Sequence, residues 1–136
     1  MRSAPTQALA VAVIATCAAS AGAHAALVPQ HLDHESRLGV AFVAATVALV
    51  AVIAALVWRP GDPGVAHAAA LLLAALIGVY VMAVTTGIPG LMDGAEPVDP
   101  VALATKAVEA LGVVLAFRLT TTAGARRLLI HKEART

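Results

Sequence analysis

Four long apolar segments, separated by short polar connections, make up most of this 136-residue chain. They cover approximately residues 8–28, 38–57, 65–84 and 101–119. Each is close to the roughly 20 residues that a helix needs to cross about 30 Å of hydrocarbon. A helix also satisfies its own backbone polar groups, which lipid cannot do. The pattern therefore predicts an all-α fold, an integral membrane bundle of four transmembrane helices in a single membrane domain spanning residues 1–136.

The composition agrees with this prediction and narrows the functional classes. The chain is 60% hydrophobic and 12% charged, whereas soluble domains have roughly 45–50% apolar and about 25% charged residues. The sequence contains no P-loop, glycine-rich dinucleotide turn or nucleophile elbow, so we expect no enzymatic activity. The basic C-terminal segment, residues 120–136, is expected to be a cytoplasmic tail on the anionic membrane surface and not a nucleic-acid binder.

The first apolar segment has two interpretations. A basic start, an apolar centre and an Ala-x-Ala ending at Ala23 or Ala25 are typical of a secretory signal peptide, whose removal would leave three transmembrane helices. The apolar residues Ala26, Leu27 and Val28 extend the segment and favour its retention as a span.

The distribution of Lys and Arg predicts the orientation. Arg2 precedes the first segment, Arg59 follows the second, and four basic residues follow the fourth after position 125. The other two connections contain only Arg37 between them. Because basic residues accumulate on the cytoplasmic side, we expect both termini to be cytoplasmic if the first span is retained.

Proline, glycine and aspartate in the connections predict the ends of the helices. Pro29 is expected to end the first helix, and Asp33 to cap a second helix that begins at residues 34–36. The sequence RPGDPG at 59–64 predicts a tight hairpin between the second and third helices. The connection after the third helix is acidic.

Glu109 is the residue whose position in the membrane costs the most free energy. It lies on the order of 13 Å along the fourth helix from Pro100, near the middle of the bilayer. A charge at that depth costs at least about 2.5–3.5 kcal/mol, so we expect Glu109 to face the bundle interior. Lys106, three residues earlier, is the expected partner.

Three roles remain open for this site. Glu109 could be a buried carboxylic acid, protonated or hydrogen-bonded to Tyr80, Thr46 or Thr85, that holds helices together. It could instead handle protons or bind a substrate, or the site could bind a metal through outer-face residues. The residues assigned to this buried polar or proton-handling set are Glu109, Lys106, Tyr80 and Thr85.

A second group of ionisable residues lies near the expected outer surface. It consists of His24, His31, Asp33, His34 and Glu35, of which the two carboxylates and three imidazoles are candidate metal ligands, with His24, His31, His34 and Glu35 assigned to the site. Imidazole and carboxylate groups suit zinc or copper, and His31 and His34 share a helix face if that stretch is helical. Their spacing matches no fixed metal motif, and solvated surfaces carry such groups without binding metal. We further hypothesise that the second and fourth helices are neighbours, so that this group and the Lys106–Glu109 pair line one recess.

Segments 31–42 and 80–109 together resemble small multi-span membrane proteins of actinobacteria that have no assigned function. The matching positions are His31, Glu35, Gly39, Phe42, Tyr80, Thr85, Gly87, Pro89 and Glu109. The resemblance implies a bacterial plasma-membrane protein and supplies no activity. We expect a non-enzymatic accessory or scaffold component that contacts the lipid bilayer. We also expect it to form a homo-oligomer or to belong to a larger membrane complex. The alternative is a small transporter or a protein that handles copper or zinc at the extracytoplasmic face, using Glu109, His31 and His34.

Overall fold

The computed structural model describes residues 4–34, 36–92 and 94–133, with side chains for those residues except His34 and the ones after Thr122. Within these residues the chain is all-helical: α1 is Ala4–His34, α2 is Ser36–Trp58, α3 is Pro63–Thr85 and α4 is Pro100–Glu133. Each of the four contains a stretch long and apolar enough to cross a membrane. The expected all-α membrane bundle is therefore confirmed.

Local capping explains where α3 and α4 begin. The Asp62 carboxylate accepts hydrogen bonds from the backbone N–H groups of Gly64 and Val65, and Pro63 occupies the first helical position. Such an acidic cap with a following proline satisfies free N–H groups at a helix start. The Asp99 carboxylate accepts the N–H of Ala102 at 2.9 Å in the same way. The expected hairpin at 59–64 is thus present as a short capped turn.

The predicted boundary between the first and second helices is wrong. α1 continues through Pro29 to His34, and Asp33 lies inside α1 instead of capping α2. Proline removes one backbone hydrogen bond, which the long packed contact between α1 and α2 offsets. A Cβ atom on Gly39 would lie 2.7 Å from the Leu32 backbone nitrogen, so glycine is required where the two helices come together at the reversal.

The helices follow one another around the bundle in chain order. α1 packs on α2 and α4, α3 packs on α4 and α2, and α1 and α3 make a minor diagonal contact. Within the described residues, α2 and α4 make no contact. The hypothesised recess between the second and fourth helices is therefore wrong, because the α1–α4 contact places α2 and α4 on opposite corners.

Small residues permit close packing at the junction of α1, α3 and α4. A Cβ atom on Gly112 would lie 2.6 Å from Leu73 Cδ1 and 2.7 Å from Thr16 Oγ1. Close backbone approach through small residues is a common way for helices to associate in lipid, where apolar burial contributes little. Gly112 therefore lies at a close contact of α4 with both α1 and α3.

Large apolar side chains cover the outside of the bundle. Val47 on α2, Leu71 on α3 and Phe117 on α4 are exposed, and Trp58 at the end of α2 is 82% exposed. Buried leucines such as Leu49 and Leu73 fill the interior. We call the end with the α1–α2 reversal and the α3–α4 connection, residues 86–99, the distal end of the bundle.

Candidate functional site

A buried polar cluster surrounds Glu109 at the contact between α1 and α4. The Glu109 side chain is 0% exposed. Ser20 Oγ donates a hydrogen bond to Glu109 Oε1 at 2.7 Å, and Lys106 Nζ donates to Glu109 Oε2 at 2.7 Å. His24 Nδ1 lies 4.0 Å from Glu109 Oε1. These four residues are called the Glu109 cluster.

Helical spacing places two members of the cluster on each helix. Ser20 and His24 are four residues apart on α1, and Lys106 and Glu109 are three residues apart on α4, so each pair shares a face. His24 Nδ1 lies 2.9 Å from the Ser20 carbonyl oxygen and 3.4 Å from Ser20 Oγ. The His24 ring also packs on the Phe42 ring of α2, with 5.6 Å between centroids. Three helices thus contribute to the surroundings of the imidazole.

Lys106 contacts α3 as well as Glu109. Its Nζ lies 3.5 Å from the Leu76 carbonyl oxygen and 5.7 Å from the centroid of the Tyr80 ring. The Lys106 side chain is 14% exposed. The Tyr80 hydroxyl oxygen is buried and has no hydrogen-bond partner among the described residues. The Lys106 ammonium group therefore lies between the Glu109 carboxylate of α4 and the Leu76 carbonyl and Tyr80 ring of α3.

The charges in the cluster compensate one another. An unpaired charge in the hydrocarbon region is costly, and a buried pair is tolerated only with good geometry and further hydrogen bonds. Both Glu109 oxygens have a donor within 2.7 Å, from Ser20 and from Lys106. The arrangement binds α1 to α4 and, through Lys106, α4 to α3.

An open cleft of about 210 Å³ adjoins the cluster between α1 and α4. Its lining consists of Ala19, Ser20, Val101, Ala104, Thr105 and Val108. Val101 stands in the first turn of α4 at the distal end, and Val108 is the neighbour of Glu109 in the chain. Ser20 is among the lining residues and donates to Glu109, and both of these residues are fully buried.

The structure confirms part of what the sequence predicts for Glu109. The side chain faces the interior, and Lys106 is its ion-pair partner. The alternative in which Glu109 bonds to Tyr80, Thr46 or Thr85 is not what the described side chains show, because Ser20 and Lys106 are its partners. Thr46 and Thr85 donate to backbone carbonyls one turn earlier on their own helices, of Phe42 and Val81 respectively. Tyr80 lies beside Lys106 and does not bond the carboxylate.

Sequence reasoning missed Ser20 as a partner of Glu109. The available signal is the pair Ser20 and His24, two polar residues one helical turn apart within an otherwise apolar segment. That segment also looks like a signal peptide, and 89 positions separate Ser20 from Glu109. Nothing in the sequence relates polar groups on the first and fourth helices.

The residues expected to bind metal do not form one described group. His24 belongs to the Glu109 cluster, whereas the His31 ring lies nearer the distal end, 4.5 Å from the Phe42 ring, with Nδ1 2.8 Å from the Leu27 carbonyl oxygen. The side chain of His34 and all of Glu35 lie outside the described residues. Among the described side chains, no three of His, Cys, Asp or Glu are placed to share a metal ion. A zinc or copper site stays a prediction.

Comparison with known proteins adds no functional assignment. No family model, curated protein or solved structure matches the chain. The resemblance to actinobacterial membrane proteins therefore stays an expectation, and the functional argument depends on the Glu109 cluster and the surfaces around it.

Proposed function

We propose that this membrane protein is a non-enzymatic accessory or scaffold component of a membrane assembly. The observation that supports the proposal is the pairing of fully buried Glu109 with Ser20 and Lys106 of the same chain. Interhelical hydrogen bonds of this kind fix the relative positions of membrane helices. The cluster gives the bundle a defined shape without presenting a reactive group on its surface.

The helix best placed to contact a partner is α2. Only 11% of the most apolar part of α2 is buried inside the bundle, the smallest share among the four candidate spans. Val43, Val47 and Val50 form an exposed apolar stripe at helical spacing on this helix. We propose that this stripe is the contact with a second copy of the chain in the bacterial plasma membrane.

Single-cysteine crosslinking tests this contact. Val47→Cys should yield a disulfide-linked dimer in native membranes under mild oxidation, whereas Val114→Cys, exposed on α4, should not. The native Cys17 is buried and serves as the background in both variants. A monomer by mass in mild detergent, together with equal crosslinking at both positions, would contradict a specific assembly through α2.

A small transporter is the second candidate, and the cleft that reaches Ser20 favours it. A copper- or zinc-handling protein is the other form of this alternative and would use His31, His34 and Glu35. Metal analysis of the purified protein tests that form. Stoichiometric zinc or copper that is lost in the His31→Ala/His34→Ala double variant would support it, and metal-free protein from repeated metal-supplemented preparations would exclude it.

A further inference from the structure

We propose that α2 pairs with α2 of a second copy as a parallel, left-handed coiled coil, in which the same residue of both copies forms each layer. This geometry rests on the proposed α2 contact, which it specifies further. It follows from a seven-residue repeat that α2 presents to the outside of the bundle. The six positions of this repeat are called the α2 seam and are Val40, Val43, Val47, Val50, Ala54 and Val57.

The spacing of the α2 seam is that of a coiled coil. All six residues are exposed, and they follow one another at alternating intervals of three and four residues. The average of 3.5 residues is the hydrophobic period of a left-handed coiled coil. Two consecutive heptads, residues 40–46 and 47–53, both have valine at their first and fourth positions and alanine at their second and fifth. From Val40 to Val57 the seam extends about 26 Å along the helix, which is most of the hydrocarbon thickness.

The third position of each heptad faces the interior of the bundle. Leu49 and Leu56 occupy it in the second and third heptads and are fully buried. Phe42 occupies it in the first, and its ring packs on the rings of His24 and His31 in α1. These contacts fix the rotation of α2, so the bundle presents the α2 seam outward as a pre-formed surface.

Contact with lipid alone does not explain the repeated valines. Any helix that packs on one side exposes positions at similar intervals, and lipid requires only that most of them be apolar. The corresponding exposed positions of α3 hold five different residue types and are Leu71, Ala74, Gly78, Val81 and Thr85. Layers of equal size are instead what a facing helix with the same repeat requires. Valine also has one strongly preferred side-chain rotamer in a helix, so packing it against a partner costs little conformational freedom.

A second copy of the chain is the partner that fits the α2 seam. The basic residues orient every copy alike in the membrane, so two α2 helices that meet are parallel. A two-fold axis along the membrane normal then places Val43 against Val43 and Val50 against Val50. The seam contains no charged residue, so this self-contact brings no like charges together. Ala44 and Ala51, which are exposed beside the seam, allow the two backbones to approach closely.

Cysteine scanning of α2 in native membranes tests this geometry. A disulfide requires Cα atoms within about 7 Å of each other, so in a parallel pair it forms between identical seam positions. Under mild oxidation, Val40→Cys and Val47→Cys should give disulfide-linked dimers. Ala41→Cys and Ala48→Cys should give several-fold less, because these neighbours in the chain lie at nearly the same depth but point about 100° away. The buried Cys17 is the background in every variant.

The crosslinking pattern separates this geometry from the α2 contact on which it rests. Crosslinking that is equal at the seam valines and at the neighbouring alanines, or greater at the alanines, would overturn the seam while leaving α2 at the interface. No crosslinking at any α2 position would overturn the α2 contact itself. Co-expression of Val40→Cys with Val57→Cys tests the direction of the helices, and a mixed dimer between these two variants would overturn the parallel arrangement.

Energy transfer between labelled copies in lipid vesicles tests the layers of the α2 seam. As the protein is diluted with lipid, Val43→Ala/Val50→Ala should show a dimer fraction several-fold below that of the wild-type protein. The matched variant Val79→Ala/Val114→Ala removes the same side-chain atoms from exposed positions on α3 and α4 and should leave the dimer fraction unchanged. An equal decrease in both variants, or no decrease in the seam variant, would overturn the proposed pairing.

Discussion

At the residue scale, we expect the stability of the bundle to depend on both members of the Lys106–Glu109 pair being present. Removing one member of a buried ion pair leaves the other charge uncompensated, at a typical cost of about 3–5 kcal/mol. The two members are not equivalent here. Lys106 is partly exposed and contacts Leu76 and Tyr80, whereas Glu109 is fully buried and, among the described side chains, bonds only within the cluster.

We therefore expect Lys106→Met to reduce the free energy of unfolding more than Glu109→Gln does. The Lys106→Met/Glu109→Gln double variant should lose less than the sum of the two single losses, because it leaves no unpaired charge in the interior. Unfolding curves in mixed micelles for the four proteins measure this double-mutant cycle. Strictly additive losses would show that the two side chains do not stabilise each other.

Gly112 provides a second prediction at this scale. In Gly112→Ala the new methyl group would lie 2.6 Å from Leu73 Cδ1 and 3.1 Å from Thr16 Cβ. We expect a loss of about 1–3 kcal/mol, the usual cost of overpacking a close contact. Gly78→Ala is the control, because nothing lies within 4 Å of its Cβ position in α3 and alanine favours a helix by roughly 0.5–1 kcal/mol. Similar unfolding free energies for the two variants would contradict the close α1–α4 contact.

At the element scale, apolar segment length predicted the number of membrane helices and most of their boundaries. The turn at 59–64 was also predictable, because Asp62 and Pro63 specify a helix start chemically. The end of α1 was not predictable from Pro29, since the cost of a proline depends on how well the helix packs on its neighbours. Thr46 and Thr85 satisfy their hydroxyls on their own helices, so their polarity alone could not identify them as partners of Glu109.

The sequence pattern could not predict which helices pack against each other. Short connections place consecutive helices side by side, but they do not specify which faces meet. The contact between α1 and α4 depends on Gly112 accommodating Thr16 and on the bond from Ser20 to Glu109. Gly112, Thr16 and Ser20 are of residue types common in membrane helices, so the sequence alone does not identify them as the neighbours of α4 and of Glu109.

At the scale of the whole molecule, the excess of basic residues near the termini predicts a cytoplasmic location for both ends. A reporter that is active only in the cytoplasm should be active when fused after Thr136. The same reporter inserted after Gly94, in the exposed connection between α3 and α4, should be inactive. The reverse pair of activities would show that the bundle has the opposite orientation.

The bond between Ser20 and Glu109 has a consequence for how the protein is made. α1 precedes α4 in the chain, so we expect the helix with Glu109 to be made after the helix that carries its hydroxyl partner, Ser20. Processing after Ala23 or Ala25 would discard Ser20 and leave the late-arriving carboxyl group without that donor. We therefore expect the mature protein to keep its first 25 residues, which the intact mass of the membrane-extracted chain will show. In biosynthetic terms, we expect the segment that resembles an export signal to provide the surface on which α4 packs during assembly.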